Sequence, residues 1–348
     1  MDGVFFVSID RTDDAIISYS GRVNSLIRSE TASFFGESPL PSFASRVDRA
    51  IRSRTPSSMS NFDETSLLFS APQLFTLSEL QAATNNFSLD NKIGAGSMSV
   101  VYRGKLIDGR EVAIKRGGAW SKINSLFLKS ELGFLSSVPH NQYLVGVVGL
   151  CQEKNERLLV YEYMHNGSLY DNLHHKYSNV LNSWKMRIRI ALDASCGMQY
   201  LVDYAIPYVE RVIKSSNILL DANWRVRVSD YRMMFTKLGY NDPEYGSVYE
   251  LRKKRDVYAF GLLLLELLTG SIGKYGSSGI HSEEVHGFTN FLMSNKLDPR
   301  VEPPELNEAR AVRLVADTAT RCVVSDVTVR PTMAQITSEL RQAFRFCY

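Results

Sequence analysis

The order of the hydrophobic patterns along this chain restricts its fold more than any other feature. Short runs rich in β-branched and aromatic residues come first, at Ser99–Gly104, Glu111–Lys115 and Arg157–Tyr163, and they are typical of β-strands. The dipeptide Asp108-Gly109 predicts a turn that joins the first two runs into a hairpin. From Trp184 onward the apolar residues recur with the helical period, most clearly over Trp184–Tyr200 and Asp256–Thr269. A strand-rich half followed by a helix-rich half predicts an α+β protein of two lobes, a β-rich N-lobe and an α-helical C-lobe.

The composition changes near residue 75. The segment before it is rich in serine and arginine and buries too little apolar surface to offset the entropy of ordering it. We therefore predict a largely flexible segment over 1–74, a folded domain over 75–344 and a short tail over 345–348. The lobes would meet near residue 164, with the N-lobe at about 75–163 and the C-lobe at about 164–344. Within the first segment, Val4–Ile17 alternates like a strand, but the sequence gives it no partner.

Bulk composition excludes several classes of protein. The 348 residues are 44% hydrophobic and 22% charged, which is the balance of a soluble globular protein, and the net charge of +3 does not suggest nucleic acid as a partner. The cysteines show no metal-binding spacing. The longest apolar stretch, Phe260–Leu268, is interrupted by Glu266 and is too short to span a membrane. We expect no transmembrane segment and a cytoplasmic location.

Two features of the strand-rich half indicate phosphate chemistry. Gly94 and Gly96 lie between the first strands, where glycines let backbone amides approach phosphate oxygens, although many ordinary turns contain the same pair. Lys115 ends a strand that we predict to be buried, and an ammonium there needs an anion. A carboxylate on a following helical segment, Glu131, can supply it. Taken singly, each charge is more often an ordinary surface residue.

The most informative stretch is Ile213–Leu220, followed by Val228–Asp230. Asn217 and Asp230 offer oxygen ligands of the kind that Mg²⁺ prefers, and Lys214 can face a terminal phosphate. Three further motifs follow in order: Asp242–Tyr245, Asp256–Gly261 and Arg330–Met333. Such an ordered series is not expected by chance.

From about Phe75 to Phe344 the chain resembles the kinase domain of plant receptor-like Ser/Thr kinases, in the interleukin-receptor-kinase-like clade and closest to its Crinkly-type subgroup. The phrases that carry the resemblance are Val101–Leu106, Asp108–Arg116, Asn182–Ile188 and Ser215–Asp221. The resemblance implies a bilobal protein-kinase-like fold, with ATP and Mg²⁺ as cofactors. Members of the subgroup normally have an ectodomain and a transmembrane helix. This sequence shows neither, so it resembles a cytoplasmic relative or a truncated one, and we expect a cytoplasmic protein that a partner can recruit to the inner face of the plasma membrane.

The resemblance also implies a role for each residue on the nucleotide side. Lys115 would contact the phosphates and pair with Glu131, while Asn217 and Asp230 would hold the metal. Tyr161 would be the gatekeeper beside the adenine. The remaining cofactor-binding residues are the glycines, the hinge, the residues that sandwich the adenine and a ribose contact: Gly94, Gly96, Glu162, Met164, Val101, Ala113, Leu219 and Asp171. The apolar residues Val101, Ala113 and Leu219 can belong to the hydrophobic core and still contact the adenine.

The catalytic side departs from the family's pattern. Where the family has His-Arg-Asp, this chain has Glu210-Arg211-Val212, and valine cannot orient a hydroxyl or accept its proton. Where the family has Asp-Phe-Gly, this chain has Asp230-Tyr231-Arg232. The segment between Asp230 and Pro243 is about half the family's length. We therefore predict that no catalytic residue is intact apart from a residual Lys214.

Three hypotheses remain. The chain is a pseudokinase, with or without bound nucleotide, that regulates or scaffolds an active receptor-like kinase or another signalling protein. Alternatively it is a weakly active protein Ser/Thr kinase that relies on Lys214, the metal and positioning alone. The third hypothesis is a duplicated kinase that has lost its biochemical role.

Overall fold

The computed structural model describes residues 5–6, 73–96, 99–117, 140–153, 156–176, 178–203, 209–211, 213–233, 243–271, 287, 289–290, 293–294 and 296–348. All of these residues belong to one compact unit.

The N-lobe is built on a seven-stranded sheet with the order β1-β3-β4-β5-β7-β6-β2. Its strands are β1 (Phe5–Phe6), β2 (Gln73–Leu74), β3 (Lys92–Ala95), β4 (Ser99–Lys105), β5 (Glu111–Gly117), β6 (Val147–Glu153) and β7 (Glu156–Glu162). The central strands pair antiparallel, while the short outer strands β1 and β2 each run parallel to their neighbour.

The hairpin between β4 and β5 forms as the sequence predicts. Gly109 has a φ of +88°, and its amide donates to the carbonyl of Leu106 at 2.9 Å, which closes the turn. Along β5, Val112 and Ile114 are buried in the N-lobe core. Because side chains alternate along a strand, Ala113 and Lys115 belong to the opposite face.

Strand β1 gives the opening stretch a partner that the sequence did not reveal. Phe5 lies opposite Gly94 and Phe6 opposite Ala95 in a parallel pair. A two-residue parallel pairing between distant segments leaves no turn signal, so the sequence expectation of an unpartnered strand was wrong for these two residues. The rest of Val4–Ile17 lies outside the described residues.

The C-lobe is helical. Its long helices are α3 (Trp184–Asp203), α4 (Pro243–Thr269), α5 (Leu306–Cys322) and α6 (Met333–Phe346), and a short helix α2 (Leu169–His174) follows the N-lobe sheet. These helices share one apolar core, whose largest fully buried members are Trp184 and Phe260. Helix α4 begins at Pro243, well before the predicted start at Asp256. The first turns of α4 therefore include the Pro-Glu-Tyr motif, which sequence periodicity did not mark as helical.

A further helix, α1 (Leu77–Ala83), lies in the N-lobe. Its cap is Thr76: the Thr76 side chain accepts from the Glu79 amide, and the Glu79 side chain accepts from the Thr76 amide. This capping box satisfies amides that a helix start otherwise leaves without partners.

Two small sheets lie outside the seven-stranded sheet. Strand β10 (Ile218–Leu220) lies between β11 (Val226–Val228) and β8 (Gly167–Ser168), and a separate pair joins β9 (Val209–Arg211) to β12 (Tyr231–Met233). The predicted two-lobed α+β architecture is confirmed. Among the helices of the described residues, none is both long and apolar enough to span a bilayer.

Candidate functional site

One face of the N-lobe sheet carries several of the predicted nucleotide-binding residues. Val101 lies directly opposite Lys115 between β4 and β5, and Ala113 lies opposite Tyr161 between β5 and β7. Directly opposed residues of an antiparallel pair share a face. Val101, Ala113, Lys115 and Tyr161 therefore form one surface, on the side away from the N-lobe core.

A small apolar cluster lies where the two lobes meet. Val145, Met164 and Leu219 are buried together, and Tyr161 packs against them. Met164 comes from the predicted hinge and Leu219 from the predicted adenine-binding set, and the structure brings the two side chains into one cluster. Val145 was not predicted, because an isolated valine before a strand carries no sequence signal of a binding role.

The side chain of Glu162 is used within the protein. Its Oε1 accepts from the Gly146 amide at 2.7 Å and lies 4.0 Å from Nη1 of Arg227. A hinge role for Glu162 would therefore fall to its backbone rather than to its carboxylate.

Lys115 forms an ion pair across the cleft. Its Nζ lies 3.2 Å from Oδ1 of Asp230, and the two side chains are 15% and 26% exposed. The predicted partner of Lys115, Glu131, lies outside the described residues. The contact that the structure describes joins the predicted phosphate-binding residue directly to a predicted metal ligand.

The backbone of Asp230 adopts the left-handed conformation, with a φ of +56°. Non-glycine residues are uncommon there, although aspartate tolerates it better than most. Such a conformation costs on the order of 1 kcal/mol and persists where the surroundings impose it. At Asp230 it occurs between β11 and β12, at the residue that carries the candidate metal ligand.

Asn217 is held beside this segment. It ends a 3₁₀ turn, Ser215–Asn217, and is 6% exposed. Its carbonyl accepts from both the amide and the hydroxyl of Ser229, each at 2.9 Å. Since Ser229 directly precedes Asp230, these bonds place the two predicted metal ligands on neighbouring segments.

No described residue explains a glycine at position 96. Among the described residues, an added Cβ would meet one atom, the Ser99 carbonyl oxygen at 3.9 Å, and the backbone does not have the positive φ that favours glycine. The Gly96 amide donates to that carbonyl at 2.8 Å. Space free of described atoms above the Gly96 backbone fits the close approach of a phosphate group. Gly94 lies in β3, opposite Val101.

Asp171 is placed at the start of α2. It is 2% exposed, and its Oδ2 accepts from the Ser168 hydroxyl at 2.7 Å, while that hydroxyl accepts from the Asp171 amide. The predicted ribose contact is thus a buried carboxylate of the first helical turn, close in sequence to the hinge.

The degenerate motifs lie on facing strands. Glu210 of β9 is directly opposite Arg232 of β12, and Arg211 is opposite Tyr231. Val212 lies outside the described residues. Lys214 precedes the 3₁₀ turn in an extended conformation and is exposed. Two departures from the family's pattern, one acidic and one basic, therefore occupy paired register positions.

The side-chain oxygens of Asn217 and Asp230 fit a magnesium ion that is also bound by a nucleotide better than one bound by protein ligands alone. No group of three or more His, Cys, Asp or Glu residues that could hold a metal occurs in the part of the chain that the structure describes. Magnesium characteristically takes one or two protein oxygens together with substrate phosphates and water. Asn217 and Asp230 are a pair of that kind.

Comparison with known proteins shows the family of the chain. Residues 87–340 match the family model described as protein tyrosine and serine/threonine kinase. The chain is 48% identical to the serine/threonine-protein kinase-like protein CCR3 and 38% identical to CCR4, both from Arabidopsis thaliana, over 78% of this chain in each case. It is 33% identical to wall-associated receptor kinase-like 3 of the same plant, also over 78% of its length.

The chain spans about two fifths of the length of these relatives: 39% of CCR3, 41% of CCR4 and 39% of the wall-associated protein. The resemblance to plant receptor-like kinases, and to the Crinkly-related proteins among them, is confirmed. The matched region contains every predicted site residue and both degenerate motifs, and this chain belongs to the protein kinase family.

Proposed function

We propose that this protein is a pseudokinase that binds ATP with Mg²⁺ and acts on an active receptor-like kinase or another signalling protein by binding it. The observation that carries the proposal is a contrast between the two sides of the cleft. Lys115, Asp230 and Asn217 are assembled on the nucleotide side, whereas valine follows Arg211, where a proton acceptor is needed.

Nucleotide binding is supported by the residues that face the cleft. Val145, Met164, Leu219 and Tyr161 provide an apolar contact for a base. Lys115 would hold phosphate oxygens, and Asn217 and Asp230 would hold the magnesium. The metal would neutralise phosphate charge when bound.

Loss of phosphoryl transfer is supported by the chemistry of the missing groups. A general base contributes about 10²- to 10⁴-fold to such a step. Valine at position 212 offers no lone pair, and arginine at position 232 adds bulk and charge where the family has glycine. The remaining function would be binding, with a cytoplasmic location from which a partner can recruit the protein to the plasma membrane.

A second candidate function is a weakly active Ser/Thr kinase. It is favoured because the chain keeps four of the family's site residues, Lys115, Lys214, Asn217 and Asp230. Radiolabelled ATP with Mg²⁺ or Mn²⁺ separates the two candidates. We expect the full chain to transfer no more phosphate than the Lys115→Ala variant. Transfer clearly above that variant would refute the pseudokinase proposal and support the weak kinase.

Nucleotide binding needs its own measurement, because a pseudokinase can act with or without it. We expect ATP with Mg²⁺ to raise the melting temperature of the full chain, and Asp230→Ala to remove the rise. No rise at any ATP concentration would refute the nucleotide-binding half of the proposal and leave partner binding as the test of the other half.

A repair experiment tests which defect matters most. Val212→Asp combined with Arg232→Gly restores the proton acceptor and the glycine. We expect measurable transfer from this double variant if those residues limit the reaction. A double variant that binds ATP but remains inactive would place the larger defect in the short segment after Asp230.

A further inference from the structure

A buried carboxylate on α4 connects two segments that flank the candidate site. Oε1 of Glu266 accepts from the hydroxyl of Ser215 at 2.6 Å and lies 2.7 Å from Nε2 of His174. Glu266 is 9% exposed. It is also the charged residue that interrupts the apolar run Phe260–Leu268, and these two contacts account for its presence there.

The two segments carry predicted ligand-binding residues. His174 is the last residue of α2, whose first turn contains Asp171, and Ser215 begins the turn that ends at Asn217. At their other ends the same segments are joined by strand pairing, where Leu219 lies opposite Ser168. The pairing and the Glu266 contacts thus fix the two segments at both ends.

Overall attachment of α2 to α4 does not depend on Glu266. Asp298 lies 2.6 Å from guanidinium nitrogens of both Arg187 and Arg300, and these arginines also donate to the carbonyls of Leu267 and Leu173, at 2.7 and 2.5 Å. Those carbonyls belong to the residues next to Glu266 and His174. Arg187, Arg300 and Asp298 therefore attach the end of α2 to the end of α4. The specific contribution of Glu266 is its hydrogen bond to the turn that begins at Ser215.

We propose that Glu266 is a positioning residue of the nucleotide site, which sets the distance between the sugar side of the cleft at Asp171 and the metal side at Asn217. The site itself rests on the proposed function. The positioning role does not, because it predicts local order in the unliganded protein as well.

Ser215→Ala is the direct test, because it removes one donor and leaves the contact between Glu266 and His174. A matched control is Thr318→Val. The Thr318 hydroxyl donates to Oε2 of Glu339 at 2.7 Å, and that oxygen also accepts from Arg321. This carboxylate joins α5 to α6, which carry no candidate site residue. Each variant therefore removes one hydroxyl donor from a carboxylate that keeps its basic partner.

Hydrogen–deuterium exchange of the unliganded full chain reads out local order. Since a hydrogen bond to a charged group is stronger than one between neutral groups, we expect Ser215→Ala to raise exchange about tenfold or more over residues 213–220. A smaller rise is expected over 166–176, and Thr318→Val should leave both segments unchanged. Equal exchange in the two variants, or a uniform increase over the whole domain, would refute the positioning role.

Glu266→Gln and Glu266→Leu extend the test. Glutamine keeps an oxygen that can accept from Ser215, so we expect it to retain most of the protection over 213–220, while leucine should lose it. If wild-type protein binds ATP, Ser215→Ala should weaken binding about tenfold with Mg²⁺ and less without it. An equal loss under both conditions would contradict the assignment to the metal side, whereas no binding by wild-type protein would refute only the proposed function.

Discussion

Nζ of Lys115 and Oδ1 of Asp230 lie 3.2 Å apart, so a cation from the N-lobe sheet and an anion from the segment after β11 form one ion pair across the cleft. A bound nucleotide with its metal would compete with this ion pair for the Lys115 ammonium and the Asp230 carboxylate. Lys115 would turn to phosphate oxygens, and Asp230 to the metal.

Lys115→Met and Asp230→Asn should affect nucleotide binding differently. The methionine variant loses the phosphate contact, so we expect the thermal shift with ATP to fall strongly with and without Mg²⁺. The asparagine variant loses the metal's charged ligand and the ion pair with Lys115 but keeps Lys115 for the phosphates, so we expect the metal-dependent part of the shift to disappear. Calorimetric titration with ATP in Mg²⁺ and in EDTA checks both. Identical losses in the two variants would contradict the separate roles.

Opposite charges at positions 210 and 232 should stabilise the β9–β12 pair. Directly opposed charges of unlike sign contribute about 0.2–1 kcal/mol in an antiparallel pair, and like charges destabilise. We expect Glu210→Arg and Arg232→Glu each to lower the free energy of unfolding, and the double exchange to recover part of the loss. Urea unfolding of the four proteins gives the coupling energy. A double variant as unstable as the sum of the single changes would show that the two positions do not interact.

Asp298 should make stability depend on acid pH. Burial alone would raise its pKa, but hydrogen bonds from Arg300 and Arg187 lower it to about 2. Because the folded pKa is below the unfolded value of about 3.9, the stabilisation is fully present above that value and is lost as the pH falls through the folded pKa. We expect the stability gap between wild-type protein and Asp298→Asn to shrink by about 2 kcal/mol between about pH 5 and pH 2.

Denaturant unfolding at a series of pH values measures this gap. Glu339→Gln is a suitable control, because it alters a different, half-buried carboxylate that also pairs with an arginine and should not remove the same pH dependence. A constant gap over this range would mean that the Asp298 carboxylate keeps its usual pKa.

Gly96→Ala and Gly261→Ala should have opposite consequences. Among the described residues a Cβ at position 96 meets one oxygen, at 3.9 Å, so we expect unchanged stability and weaker ATP binding. A Cβ at position 261 would lie 2.5 Å from Cβ of Cys322 and 2.8 Å from Cγ1 of Val323, where α4 meets α5. Overpacking of this kind costs about 1–3 kcal/mol. Melting temperatures and ATP titrations of both variants test the contrast, and unchanged ATP affinity in Gly96→Ala would contradict the phosphate-binding role.

Local signals in the sequence predicted local structure well. The Asp108-Gly109 turn and the β-branched runs beside it predicted the β4–β5 hairpin. Motif order then predicted which lobe each site residue would occupy.

Contacts between distant segments were not predictable in the same way. Three of these contacts depend on how separate elements pack: the pair of Lys115 with Asp230, the pairing of Glu210 with Arg232, and the hydrogen bond of Ser215 to Glu266. The helical period also failed before Asp256, because the first turns of α4 contain proline, glycine and charged residues. Glu266 left one trace in the sequence, as a charge inside an apolar run, but its partners came only from the structure.

The short strand β2 has a practical consequence for shortened versions of this protein. An added Cβ at Gly149 of β6 would lie 2.1 Å from the carbonyl oxygen of Gln73, so the two backbones pass unusually close. A chain that begins at residue 75 would lack β2 and leave the backbone of β6 open to other molecules, and open strand edges promote self-association. Recombinant protein that begins before Gln73 should stay monodisperse at concentrations where the shorter form aggregates.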